Sequence, residues 1–197
     1  MIETNLRKTY QKCCIDPLLH WAIFRKVHPI FLTSLACLSG ISAFPMLVYD
    51  LSLCAFLLLI ISGFLDTLDG SLARLDGRTS VKGAALDILS DRLVEFAIIL
   101  GLYCVEPGSR ALPSLLMLGS VLICVTSFLV VGMFTKNNSE KSFHYSPGLI
   151  ERAEAFIFFG MMILIPSTFP LLSYIFSLLV MTTASIRMVQ FLKSVKS

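Results

Sequence analysis

The chain has 197 residues, 56% of them apolar and only 15% charged. A soluble domain carries about a quarter charged residues, so a water-soluble globular protein is excluded and the bilayer is the solvent to assume. The formal net charge of +3 is small; where the charges fall matters more than their sum, and no nucleic-acid partner is expected.

Residues 1–28 are mixed polar and basic, with Arg7, Lys8, Lys12, Arg25 and Lys26. Asp16 followed by Pro17 marks a helix start, a cap residue and then proline at the first helical position. The run LLHWAIFRK that follows is expected to lie in the membrane interface, with Trp21, the single tryptophan, at headgroup level. The segment is too long and polar for a signal-peptide leader and is expected to stay uncleaved.

Six apolar segments follow, roughly 29–49, 51–73, 81–105, 112–135, 149–167 and 169–191. Each is near the ~20 residues that a spanning helix needs. Tyr49-Asp50 separates the first two, Glu106-Pro107-Gly108 the third and fourth, and Pro166 and Pro170 the last two. The expected fold is an all-α integral membrane protein of six transmembrane helices preceded by an N-terminal interfacial helix. In domain terms, a 1–28 cytoplasmic or interfacial segment precedes a 29–197 transmembrane domain. The polar stretch 136–148 (KNNSEKSFHYSPG) is the one loop long enough to form a lid or substrate rim.

Six spans put Arg7, Lys8, Lys12, Arg25, Lys26, Arg74, Arg78, Lys82, Lys136, Lys141, Lys193 and Lys196 on one side, with Arg152 and Arg187 near helix ends on that side too. Only Arg110 falls clearly on the other. By the positive-inside rule both termini are expected in the cytoplasm, in a membrane of the bacterial inner or cytoplasmic type. The six cysteines show no CxxC or Cys/His spacing; they read as free thiols and small buried hydrophobes rather than zinc ligands or disulfides.

The chemistry gathers in 66–91, DTLDGSLARLDGRTSVKGAALDILSD. Asp66 and Asp69 are three apart and Asp87 and Asp91 four apart, so each pair shares a helix face. A charged side chain within a membrane helix costs about 2.5–3.5 kcal/mol on insertion scales. Carboxylates converging on one rim need an offset, and a divalent cation is the simplest; oxygen-only ligands favour Mg²⁺ or Mn²⁺ over zinc. Two ions would neutralise most of the charge and clamp a diphosphate. Gly70, Ala73 and Gly83 let a phosphate or a bulky group approach the helix backbone, and Arg74 adds a cation for a phosphate oxygen. Ordinary solvation accounts for Asp76 but not for Asp87 and Asp91, which a long apolar run follows. Arg92 is expected to pair with Glu95 or an aspartate.

The stretch fits D-x2-D-G-x2-A-R-x8-G-x3-D-x3-D at every fixed position, and in this it resembles the CDP-alcohol phosphotransferases (CDP-alcohol phosphatidyltransferases). The six spans and the N-terminal helix resemble that family as well. A departure lies before the first span, where His28-Pro29-Ile30 keeps the family's proline but lacks its asparagine. Thr33 and Gly40 match the family's hydroxyl and small positions, and no nucleotide contact is assigned to this span.

The resemblance implies transfer of a phosphatidyl group from CDP-diacylglycerol to an alcohol hydroxyl, with release of CMP. It implies Asp66, Asp69 and Asp87 as metal ligands, with Asp91 completing the metal site and acting as general base. It further implies a donor pocket of Asp66, Asp69, Gly70, Ala73, Arg74 and Gly83, and a homodimer. Lys136, Arg152 and Arg187 resemble the basic positions that hold the acceptor's phosphate in members using inositol phosphate. A phosphorylated polar alcohol, glycerol 3-phosphate or inositol phosphate, is therefore the first expectation; serine or a lipid alcohol is the alternative. From a different class, a cation transporter would also use intramembrane carboxylates, but near the bilayer midplane and on broken helices.

Overall fold

The computed structural model describes residues 28–75, 77, 80–134, 150 and 152–195. The expected interfacial helix, the 136–148 loop and Lys136 lie outside them. The described residues are helical and show no strand. They fall into two compact units, one ending at Glu106 and the other beginning at Pro107.

The first unit holds α1 (Pro29–Val48), α2 (Ser52–Leu75) and α3 (Val81–Val105). Helix α1 begins at Pro29, which has no N–H to leave unsatisfied, and His28 caps it by accepting from the Ile30 N–H through Nδ1 at 3.3 Å. Its buried residues Pro29, Thr33, Ala36, Gly40, Ala43 and Leu47 repeat at alternating intervals of four and three, the seam of a helix packed closely along its length. The turn to α2 places Asp50 in the left-handed region, with φ 60°; aspartate tolerates that conformation as a single residue. Ser80 caps α3, its Oγ accepting from the Gly83 N–H at 3.0 Å.

Helix α1 runs antiparallel to α2 and parallel to α3. The Ser39 hydroxyl donates to the Leu58 carbonyl on α2 at 3.0 Å. On α3, Val94 lies against Gly40, and Gly101 lies against Leu47. A Cβ at Gly40 would fall 2.5 and 2.6 Å from the two Val94 methyl carbons and 2.8 Å from the Ser62 hydroxyl of α2. Valine is stiff about χ1 and cannot swing aside cheaply. Gly40→Ala is therefore expected to cost about 1–3 kcal/mol of stability, visible as a lower thermal midpoint of the purified protein.

The second unit holds α4 (Pro107–Phe134), α5 (Arg152–Leu164), a 3₁₀ turn at Pro166–Thr168 and α6 (Phe169–Val195). Helices α4 and α6 are parallel. At their starts the Arg110 guanidinium stacks 4.6 Å over the Phe169 ring; toward their ends Arg187 reaches Cys124 and Ser127. Helix α5 turns back along α6, and the Ile150 N–H at its entry donates to Thr183 of α6 at 3.3 Å. Phe158 and Phe159 of α5 pack on Phe176 of α6 at 5.7 and 5.5 Å between ring centroids.

The fourth helix starts five residues earlier than the apolar run suggests. Glu106-Pro107-Gly108 is not a turn, because Pro107 opens the helix and its missing N–H costs nothing in a first turn. Among the described residues four stretches are long and apolar enough to cross a bilayer: 29–48, 52–75, 107–134 and 166–194. Helix α3 is long enough, but it carries Lys82, Asp87, Asp91, Arg92 and Glu95. Helix α5 has 13 residues, about 20 Å at 1.5 Å per residue. The protein is thus an all-α membrane protein. Cys37, Cys54, Cys104 and Cys124 are free thiols, as expected, but none is buried in the protein: Cys54 is exposed and the other three are half-buried, because they lie off the packed helix faces.

Candidate active site

Asp66 and Asp69 sit in the last turns of α2, and Asp87 in the second turn of α3. Gly77 takes a left-handed φ of 61° in the connection between the two helices, a conformation glycine adopts without penalty. One carboxylate oxygen from each of Asp66, Asp69 and Asp87 lies within 4.8 Å of the other two. Asp69 is buried, while Asp66 and Asp87 are half-buried.

That grouping suits a hard cation. Two oxygens bound to one Mg²⁺ at about 2.1 Å can be at most ~4.2 Å apart, so the three donors need only a small inward shift. Without a cation, two like charges about 4 Å apart cost roughly 4 kcal/mol at an effective dielectric of 20. The structure shows what neutral partners supply: the Thr33 hydroxyl of α1 donates to Asp69 Oδ2.

Asp91 lies one turn beyond Asp87 and outside the set of three. Its Oδ2 is 3.9 Å from Nη2 of Arg92, whose Nη1 meets Oε2 of buried Glu95 at 2.6 Å. Arg92 thus pairs closely with Glu95, one of the two expected alternatives, and lies at a longer distance from Asp91. Arg74 is exposed and folds back along its own helix. Its Nη2 donates to the Ser71 hydroxyl at 3.2 Å, and a Cβ at Gly70 would lie 3.5 Å from its Nη1. Gly70, Ala73 and Gly83 are all half-buried.

The basic residues expected at the acceptor belong to the second unit. Arg187 Nη1 donates to the Cys124 carbonyl at 3.0 Å and to the Ser127 hydroxyl at 3.3 Å, with the guanidinium 5.4 Å over the Phe128 ring. Its Nε is buried with no hydrogen-bond partner. The Arg152 guanidinium lies 5.3 Å over the Phe156 ring.

Two features escape sequence reasoning. The Ser80 cap is one, although serine three residues before Gly83 is a recognisable signal. The Thr33–Asp69 bond is the other. Thirty-six residues separate the pair, and no local spacing announces the contact.

Residues 26–189 match the family model for CDP-alcohol phosphatidyltransferase. The chain belongs to that family. It is similar to the inner membrane protein YnjF of Escherichia coli, with 29% identity over 184 residues, 88% of this chain and 89% of that one. It is also similar to a bifunctional IPC transferase and DIPP synthase of Archaeoglobus fulgidus, with 34% identity over 107 residues, 54% of this chain and 21% of that one. Family membership makes the chain a transferase that moves a phosphatidyl group from a CDP-alcohol to an alcohol, within the membrane. Its substrates are accordingly a CDP-alcohol donor and an alcohol acceptor. The reading as a cation transporter gives way to this one.

Proposed function

We propose that the protein is a metal-dependent phosphatidyltransferase that uses CDP-diacylglycerol as donor and a phosphorylated polar alcohol, glycerol 3-phosphate or inositol phosphate, as acceptor. The observation that carries the reading is the convergence of Asp66, Asp69 and Asp87 within 4.8 Å, inside a motif whose other fixed residues are the small Gly70, Ala73 and Gly83, the cationic Arg74 and a fourth aspartate, Asp91. Asp66, Asp69 and Asp87, with Asp91 completing the set, would hold two Mg²⁺ or Mn²⁺ ions. Bound metal supplies positive charge to the diphosphate and to the departing CMP.

The remaining roles fall to the chain's own groups. Gly70, Ala73 and Gly83 leave room along two helices for the cytidine diphosphate, and Arg74 meets a phosphate oxygen. Asp91 takes the proton of the acceptor hydroxyl. The hydroxyl oxygen bonds to the phosphatidyl phosphorus, and the bond from that phosphorus to CMP breaks, CMP leaving with the electron pair. Lys136, Arg152 and Arg187 bind the acceptor's phosphate; the buried Nε–H of Arg187 supports an anionic acceptor. Residues 29–197 act as one six-span domain with both termini and the aspartates on the cytoplasmic side, and the acting unit is a homodimer.

The test is CMP release by the purified protein from CDP-diacylglycerol with Mn²⁺ or Mg²⁺ and, in parallel, glycerol 3-phosphate, inositol phosphate, serine and a lipid alcohol. Turnover is expected with a phosphorylated alcohol and should vanish on chelation. Turnover only with serine or the lipid alcohol would reassign the acceptor. Turnover that survives chelation would overturn the metal reading.

A further inference from the structure

We propose that Thr33 is a positioning residue for the metal centre: its hydroxyl, brought from α1, orients the Asp69 carboxylate and so sets the affinity of the site for a divalent cation. The inference rests on the metal reading above and extends it to a helix that contributes no ligand.

Thr33 and Asp69 are both 5% exposed. The Thr33 Oγ1 has one hydrogen and two acceptors in reach, Asp69 Oδ2 and the Pro29 carbonyl at 3.2 Å. A charge-assisted bond to a carboxylate is about twice as strong as one to a neutral carbonyl, so the proton goes to Asp69. The terminal torsion of an aspartate is broad and roughly two-fold; fixing one oxygen narrows it. Asp69 also accepts from the Gly70 backbone N–H on its own helix; Thr33 is the side chain that reaches it from α1.

The surrounding packing holds the donor still. Leu32, next to Thr33, clusters with Leu68 and Leu72 on either side of Asp69, and Phe64 and Leu65 pack against them. Two turns along α1 from Thr33, on the same face, Gly40 meets Val94 and Ser62 without room for a Cβ. Helix α1 is thus held against both ligand-bearing helices, and its rotation is not free. Hydrogen bonds to metal-ligating groups fix ligand geometry, and losing one typically weakens metal binding about 10–100-fold.

The experiment measures Mn²⁺ binding to the purified full-length protein by electron paramagnetic resonance, without CDP-lipid, for the wild type, Thr33→Val and Thr33→Ser. Thr33→Val keeps the shape and removes the hydroxyl; it is expected to weaken Mn²⁺ binding by about 10–100-fold. Thr33→Ser is expected to bind within a few-fold of the wild type. If Thr33→Val binds as tightly as the wild type, or Thr33→Ser as weakly as Thr33→Val, the proposal is overturned while the metal reading stands. Should Thr33→Val fail to fold, Thr33→Ala against Thr33→Ser makes the same comparison. A wild type that binds no Mn²⁺ overturns the metal reading and this proposal with it. A hydroxyl that served folding alone would change the metal-free melting temperature and leave Mn²⁺ affinity unmoved.

Discussion

Asp66→Ala is expected to lower metal-dependent CMP release by about a thousand-fold or more. A metal polarising a phosphoryl oxygen contributes several kcal/mol to the transition state, and each 1.36 kcal/mol is about tenfold in rate. Asp66 supplies one of three carboxylates gathered within 4.8 Å, so its removal would leave that cluster with two carboxylates and the proposed cation short of an oxygen donor. Raising Mn²⁺ should recover part of the lost rate, since the remaining aspartates still attract it. Asp50→Asn, in the turn between α1 and α2 and outside the cluster, serves as a control and should run at the wild-type rate. If Asp66→Ala keeps full turnover at limiting metal, Asp66 is not a ligand.

Asp91→Asn is expected to lower kcat by about 10²–10⁴, the usual contribution of a positioned general base, while KM for the CDP-lipid stays close to wild type. The amide keeps an oxygen for a cation and loses the ability to take a proton, which separates the two roles given to Asp91. Its place supports the split. It lies a turn beyond the three clustered aspartates and beside the Arg92–Glu95 ion pair. A variant that turns over at the wild-type rate would remove Asp91 from the chemistry. A variant that fails only through weaker metal binding would make it a ligand alone.

Much of this was readable from the chain. The third helix begins and ends at the expected Val81 and Val105, because Ser80 starts it and Glu106-Pro107 stops it, both local signals. Helical periodicity puts Asp66 with Asp69, and Asp87 with Asp91, on one face of its own helix; the short connection between the two helices keeps the pairs near each other, and the packing of α2 beside α3 brings Asp66, Asp69 and Asp87 into one cluster. Tertiary contacts had no such signal. That Thr33 reaches Asp69, that Gly40 admits no side chain, and that Arg187 donates to the Cys124 carbonyl depend on which helices are neighbours. The start of α4 was missed for another reason: Pro107 reads equally well as the end of a turn or the opening of a helix, and no apolar periodicity decides between them. The acceptor residues are scattered over separate helices, so no spacing ties them together as it does the aspartates.

Helix α3 has a consequence for biogenesis. It carries Lys82, Asp87, Asp91, Arg92 and Glu95, and a charge at the centre of a membrane helix opposes insertion by about 2.5–3.5 kcal/mol. Alone, such a helix would partition poorly from the translocon into lipid. Its neighbours α1 and α2 are apolar enough to enter by themselves, and α1 offers α3 a protein surface at Gly40 and Leu47, against Val94 and Gly101, while Glu95 is paired within α3 by Arg92. The helix that bears half of the motif's four aspartates is thus a guest of the hairpin made before it. Order of synthesis and order of membrane entry coincide, and the active site can close only after its two most apolar walls are already in place.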